Sequence, residues 1–343
     1  MVRVLVAEDS PVTREYLVYL LDQDPALQVA GTARDGMEAV EQAEVLRPDV
    51  ILMDVHMPRL NGFEATRLIM ERVPTPIVIV SASYSRDEEA LTFEALRAGA
   101  LSVVEKPVGP DRPGQEESAR KLVETLRLMA EVKVVRRWSR RPRPPQPAVS
   151  PAPTGRRVRI VAIGASTGGP AALSEILEQL PGDLAAPILV VQHIATGFTP
   201  GLVEWLAQGT RLAVKLAEDQ VMVHPGTVYV APEGKQMGIT SAGRIHLETE
   251  SGGNGFRPSA SHLLEAVTEA YGRHALGVLL TGMGRDGAKA LLQLREAGGI
   301  TIAQDEATSV VFGMPGEAIR LGAAQYILSP ERIAETIRSL VRP

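Results

Sequence analysis

Between residues 136 and 157 the chain reads RRWSRRPRPPQPAVSPAPTGRR, and no folded core can absorb that stretch. It holds seven Arg, six Pro and no acidic residue. Its prolines stiffen the backbone, and few of its side chains gain from burial. It reads as an exposed linker that divides the 343 residues into two pieces of ordinary domain size. The run carries +7, which leaves −12 for the rest of a chain whose net charge is −5. A basic tether to nucleic acid or a membrane surface is the sharper reading of such a run, and a solvated connector is the plainer one. The overall negative charge gives no case for nucleic-acid binding.

Each piece alternates β-rich runs with helical periodicity. In the first, strands are expected near 3–7, 28–31, 50–53, 77–80 and 101–104. Helices are expected near 11–22, 36–46, 61–72, 87–98 and 118–130. Runs such as VILM and IVIV are apolar on both faces, as in a parallel sheet covered on both sides. Five βα units predict a doubly wound α/β domain over residues 1–125, followed by a helical extension and the linker at 126–157. In residues 158–343 strands are expected near 158–163, 187–192, 212–215, 227–231, 275–280, 300–303 and 325–328. Helices are expected near 169–180, 199–208, 259–271, 285–297, 314–321 and 331–340. A hairpin is expected at 237–247, around Gly243. This half is also α/β, a mostly parallel sheet with an antiparallel excursion.

Composition removes several chemistries. With no cysteine, the chain has no disulfide scaffold, thiolate-bound metal or cysteine nucleophile. Histidine chemistry must use His56, His193, His224, His246, His262 or His274. The opening MVRVLVAEDS is too short an apolar run for a signal peptide, and no uncharged stretch is long enough to span a bilayer, so no membrane insertion and a cytoplasmic location are expected.

Ligands of open α/β sheets bind at the carboxyl ends of the strands. In the first half those ends carry Glu8 and Asp9, Asp54, Ser81 and Lys106. Clustered carboxylates repel unless a cation neutralises them, and Mg²⁺ suits carboxylate and phosphate oxygens. A hydroxyl and an ammonium nearby complete a set able to move a phosphoryl group onto a carboxylate. The runs VLVAEDSPVTR, DVILMDVHMPRLNGFEATR, IVIVSAS and VVEKP resemble the receiver domain of two-component response regulators. The resemblance implies that Asp54 accepts a phosphoryl group from a histidine kinase. It implies Mg²⁺ held by Glu8, Asp9, Asp54 and the backbone carbonyl of His56, with Ser81 and Lys106 on the phosphoryl oxygens. Val103 stands where receivers usually carry an aromatic, and Glu8 where Asp is commoner.

In the second half, Gly164-Ala165-Ser166-Thr167-Gly168 follows a strand and precedes a helix opening at Gly169-Pro170. It fits the turn that exposes a serine nucleophile, and equally a glycine-rich phosphate cradle lacking the P-loop lysine. His193 ends the next strand on the same edge, whereas His224, His246, His262 and His274 read as structural. Asp286 follows the strand ALGVLLTG and completes a Ser166, His193, Asp286 order that is not the α/β-hydrolase order. The same loop, Gly282-x-Gly284-x-x-Gly287 with Asp305 beyond it, also fits a dinucleotide fingerprint.

The strings IGASTGGPAAL, QHIATGFTPGLVEWL, GFRPSASHLL, LLTGMGRDGA and FGMPGEAI, in this order, resemble the catalytic domain of the chemotaxis protein-glutamate methylesterases. That resemblance implies hydrolysis of glutamyl methyl esters on chemoreceptor cytoplasmic domains, with release of methanol, and deamidation of receptor glutamines. It implies Ser166 as nucleophile, His193 as base, Asp286 as its orienting partner, and the N–H groups of Thr167 and Met283 as oxyanion donors, with no cofactor for the esterase. Gln236 replaces a histidine common in this family, a change read as lying at the rim. Joined to a receiver, the esterase is expected to be covered until Asp54 is phosphorylated. A phospho-dependent adaptor with an inactive esterase fold, and a dinucleotide sensor, stand as alternatives.

Overall fold

The structure, a computed structural model, describes residues 1–81, 86–107, 109, 114–132, 134, 157–249 and 256–341. It forms two compact units, Met1–Gln146 and Pro147–Pro343. Most of the Arg/Pro run lies outside the described residues.

The first unit has strands β1 (Val2–Ala7), β2 (Leu27–Ala33), β3 (Val50–Asp54), β4 (Ile77–Ser81) and β5 (Ser102–Glu105). They pair in parallel in the order β2-β1-β3-β4-β5. Between and after them run helices α1 (Pro11–Asp22), α2 (Gly36–Leu46), α3 (Gly62–Arg72), α4 (Arg86–Ala98) and α5 (Gln115–Ala130). Every residue of β3 and β4 is buried, as the two-faced apolar runs require. Helix starts are set by local side chains: the Ser10 hydroxyl accepts from the Thr13 N–H, and Asn61 and Glu64 form a capping box. Val103 is buried in β5 opposite Ile79, so it serves as core here. Leu122, Leu126 and Met129 of α5 are buried too, and this carries the core of the unit past residue 125.

The second unit has β6 (Ile160–Ala165), α6 (Gly169–Leu177), β7 (Ile188–Gln192), α7 (Thr199–Gly209), β8 (Ala213–Leu216) and β9 (Thr227–Val230). Next come β10 (Gln236–Ile239), β11 (Ile245–Glu248), α8 (Ala260–Tyr271), β12 (Ala275–Leu279) and α9 (Ala288–Glu296). It ends in β13 (Ile300–Gln304), α10 (Met314–Arg320), β14 (Tyr326–Leu328) and α11 (Pro330–Leu340). Seven strands pair in the order β14-β13-β12-β6-β7-β9-β8, all parallel, and β10 and β11 form the separate antiparallel hairpin. Leu173, Ile176, Leu263, Leu264 and Leu291 seal the sheet from its helical sides with no exposure. Each such side chain contributes about 1.5–3 kcal/mol by leaving water.

Several boundaries differ from the sequence expectation: α5 starts at Gln115 rather than 118, α6 ends at Leu177 rather than 180, and the start of α9 moves for an identifiable reason. A helix was expected from residue 285, but α9 starts at Ala288. Residues 285–287 form a turn instead, because Asp286 is engaged by the start of α8 and Gly287 adopts φ +83°.

Candidate active site

The sheet order places β6 between β7 and β12. Ala165 pairs with Gln192, and Gly164 with Leu279. The residues that follow on all three strands therefore leave the same edge together, and Ser166 and His193 stand side by side there. The backbone fixes this pair tightly. The His193 N–H donates to the Ala165 carbonyl at 2.9 Å, and the Ser166 N–H donates to the Thr281 carbonyl at 3.1 Å. The side-chain amide of Gln192 donates to the carbonyls of both Ser166 and His193, at 2.8 Å each.

His193 Nε2 lies 3.0 Å from Oδ2 of Asp286, with both side chains only 9% exposed. The other ring nitrogen is buried and has no hydrogen-bond partner among the described residues. Asp286 itself is heavily anchored. Its Oδ2 accepts from the Ala260 N–H at 2.6 Å, and its Oδ1 accepts from the Ser259 hydroxyl, the Ser261 N–H and the Ser261 hydroxyl at 2.9, 3.0 and 2.6 Å. Burial alone would raise its pKa, but the bonds from His193, Ser261 and Ala260 outweigh burial and hold the carboxyl well below its ordinary range. An ionised, fixed carboxylate against one ring nitrogen sets the tautomer that leaves the other nitrogen basic.

The Ser166 hydroxyl does not hydrogen-bond to His193 in this structure. Such contacts often tighten only once substrate is bound. Beyond Ser166, Gly168 caps α6 with φ +77° and no side chain bonds to the helix start. The N–H groups there are a source of positive potential for a developing oxyanion. Thr167 N–H and Met283 N–H have no backbone partner among the described residues. The Thr281 hydroxyl donates to the Thr167 carbonyl at 3.0 Å and holds that peptide in place.

A groove of about 470 Å³ opens beside His193, lined by Ile194, Thr196, Glu233, Phe256 and Arg257. Glu233, one of its lining residues, accepts from the N–H groups of Gly197 and Thr199. Of the other histidines in this unit, His246 pairs with Asp219 and Glu248, His274 contacts the Arg157 carbonyl, and His262 donates its backbone N–H to the Ser259 hydroxyl.

In the first unit, Glu8, Asp9 and Asp54 each offer a carboxylate oxygen, and the three oxygens lie within 4.8 Å of one another. Lys106 Nζ stands 3.0 Å from Glu8 and 3.0 Å from Asp54. Burial first, and the Asp54 charge second, push the Glu8 carboxyl up to about 7 against the pull of Lys106. Burial likewise raises Asp54, which accepts a bond from the His56 N–H. Ser81 ends β4 on the same edge and its peptide carbonyl accepts from the Lys106 N–H. Three crowded carboxylates, two of them with pKa values raised by burial, fit a hard divalent cation such as Mg²⁺.

Residues 161–337 match the family described as CheB methylesterase, and residues 4–113 match the response regulator receiver domain. A protein of Nitrosospira multiformis named protein-glutamate methylesterase/protein-glutamine glutaminase is 52% identical over 99% of this chain and 97% of its own length. One of Syntrophus aciditrophicus with the same kind of name is 49% identical over 99% and 98%. The chain belongs to the CheB methylesterase family. The crystal structure of the Thermotoga maritima CheB methylesterase catalytic domain agrees in fold, with TM-score 0.52 and 41% identity over 54% of this chain and 99% of that domain.

As a CheB-family chain it makes the dinucleotide reading of the 282–287 loop unfavoured, and the loop's own bonding gives the reason. Asp286 is turned onto α8, and the Gly287 N–H donates to the Ser261 hydroxyl at 2.8 Å, so neither is presented to a ligand. The glycine at 282 has a different purpose. A Cβ there would sit 2.6 Å from the Ser166 Cβ and 3.0 Å from its nitrogen. Only glycine lets the β12 loop lie against the serine. Gly282→Ala is expected to displace Met283 and lower ester hydrolysis by about a hundredfold, the loss typical of one oxyanion donor. Methanol-release assays alongside a thermal melt check this, and an unchanged rate would refute it.

Gln192, Ser259, Ser261 and Thr281 were not singled out from sequence, and Gly282 was read only as part of a dinucleotide fingerprint. The signal for Gln192 was a polar residue closing an apolar strand, ILVVQ, before His193. Ser259 and Ser261 carry only the general look of a helix start.

Proposed function

We propose that this chain is a phosphorylation-controlled serine esterase that demethylates glutamyl methyl esters of chemoreceptor cytoplasmic domains and deamidates receptor glutamines. The observation that supports the reading best is the His193–Asp286 pair, 3.0 Å apart, on the strand edge that also presents Ser166. Ser166 Oγ attacks the ester carbonyl while its proton passes to the ring nitrogen of His193 that Asp286 does not engage. The carbonyl oxygen, now negative, takes hydrogen bonds from the N–H groups of Thr167 and Met283. The C–O bond to the methoxy group breaks, His193 returns the proton, and methanol leaves. Water then attacks the acyl-enzyme with His193 again as base, restoring Ser166 and freeing the glutamate. An amide follows the same path with ammonia as the leaving group.

The first unit is the control element. Asp54 takes a phosphoryl group from a histidine kinase. Glu8, Asp9, Asp54 and the His56 carbonyl would hold Mg²⁺, which supplies charge neutralisation for the incoming phosphoryl oxygens. Ser81 and Lys106 orient those oxygens. No helix among the described residues is long and apolar enough to cross a membrane, in keeping with a cytoplasmic enzyme that meets receptors at their cytoplasmic ends.

The test is methanol release from a methylated receptor fragment by the full chain, with and without a small-molecule phosphodonor and Mg²⁺. The phosphodonor is expected to raise the rate about five- to hundredfold, the range of ordinary coupling free energies. Asp54→Asn is expected to abolish that rise and leave the basal rate. A rise that persists in Asp54→Asn would overturn the assignment of the phosphoacceptor, and absence of methanol under all conditions would overturn the esterase.

A further inference from the structure

Phe256 is out of place as a hydrophobic residue. It is 55% exposed and belongs to no core, yet its ring stacks on the His193 imidazole with centroids 4.4 Å apart and planes inclined by 12°. The contact is held by a side chain from another element. Gln236, at the start of β10, donates from Nε2 to the Phe256 carbonyl at 2.9 Å and accepts at Oε1 from the Ser259 N–H at 2.8 Å. Ser259 in turn donates to Asp286. One amide thus clasps both ends of the segment that covers the imidazole and supports its carboxylate partner. The sequence reading placed Gln236 at the rim; the structure makes it the fastener of the wall over His193.

An aromatic face carries negative electrostatic potential, and a cation is drawn to it. As the proposed general base, His193 gains a positive charge when it takes the Ser166 proton. A ring stacked on it therefore favours the state formed on the way to the tetrahedral intermediate over the resting state, which is the condition for raising a rate. The stack also restricts tilting of the imidazole out of its plane toward that side. We propose that Phe256 is a positioning residue of the esterase, fixing the plane of His193 and stabilising its protonated form, and that Gln236 holds it in place. The inference rests on the assignment of Ser166 and His193 given above.

The experiment is the second-order rate of labelling of the full chain by a fluorophosphonate, with phosphodonor present, because that rate depends on removal of the Ser166 proton and needs no receptor. Wild type is expected to label and Ser166→Ala not to. Phe256→Leu is expected to label about tenfold more slowly, within the range of a partly desolvated cation–π contact. Phe256→Tyr, which keeps the ring face, is expected to stay within about threefold of wild type. Gln236→Leu, which leaves the ring but removes both bonds, is expected to fall between. A Phe256→Leu rate equal to wild type overturns the proposal. So does a Phe256→Tyr rate as slow as Phe256→Leu, since the ring face would then not be what matters. If wild type and Ser166→Ala label alike, the hydrolase assignment itself fails and takes this inference with it.

Discussion

Ser166→Ala is expected to reduce methanol release by about three to six orders of magnitude while leaving the fold intact. The structural half of that expectation follows from which atoms of Ser166 are used. Its N–H bonds to Thr281, and its carbonyl accepts from Gln192 and from the Gly169 N–H at 2.7 Å. All of these use only backbone atoms of Ser166, and alanine keeps each of them. It also keeps the Cβ that packs against Gly282. The melting temperature should therefore match wild type. The catalytic half follows from the hydroxyl being the only atom lost and the only one able to form the acyl-enzyme. The α6 terminus and the N–H groups of Thr167 and Met283 remain, so a small residual rate from oxyanion stabilisation is expected. A variant with unchanged stability and near-normal methanol release would show that a directly activated water does the chemistry, and the acyl-enzyme would have to be abandoned.

Much of the fold was legible because the central strands announce themselves. Runs such as VILMD and IVIVS are short, β-branched and apolar on both faces, a pattern that fits a strand covered on both sides. Ser166 and His193 were legible for a related reason: each directly follows the last residue of such a run, and Asp286 lies in the loop that leaves a third, β12, at the same sheet edge. What was not legible depends on which loops meet. Ser259 and Ser261 look like any helix start, and nothing local says that the group they bond is a carboxylate 25 or more residues away. Gln236 looked like a replaceable rim residue until the 256–259 segment was seen to hang from it. Phe256 in GNGFRP has neither period nor partner in sequence; its meaning lies in the imidazole beneath it. The expected helix start at 285 missed for the same reason. A local reading assigns Asp286 to its own helix, whereas in space it caps a different one.

Asp286→Asn is expected to cost about 10⁴ in turnover and, unlike Ser166→Ala, to destabilise the second unit. The carboxylate serves two structures at once: it lies 3.0 Å from His193 Nε2, where the proposed mechanism has it set the tautomer, and it accepts from Ser259, Ala260 and Ser261 at the start of α8. An amide has one oxygen fewer. Its NH₂ must face either the Ala260 N–H and His193 or the donors from Ser259 and Ser261, so buried donors lose their acceptor in either orientation. Leaving a buried charge-assisted cluster half-satisfied costs on the order of 3 kcal/mol. The pH dependence separates this from a general packing defect. The folded-state pKa of Asp286 lies below its ordinary 3.8, because the bonds from His193, Ser261 and Ala260 overcome the effect of burial. An unfolded chain then binds more protons than the folded one between those two values. Stability from Asp286 is therefore fully present above about pH 4 and drains away as pH falls through the folded-state pKa. Asparagine has no such proton to take up. Urea unfolding of the full chain should find wild type well above Asp286→Asn at pH 7, with the gap narrowing as the solution is acidified below about pH 4. A gap that stays constant from pH 7 to pH 3 would mean that the carboxylate's charge does not hold the start of α8, and the dual role assigned to Asp286 would reduce to its contact with His193.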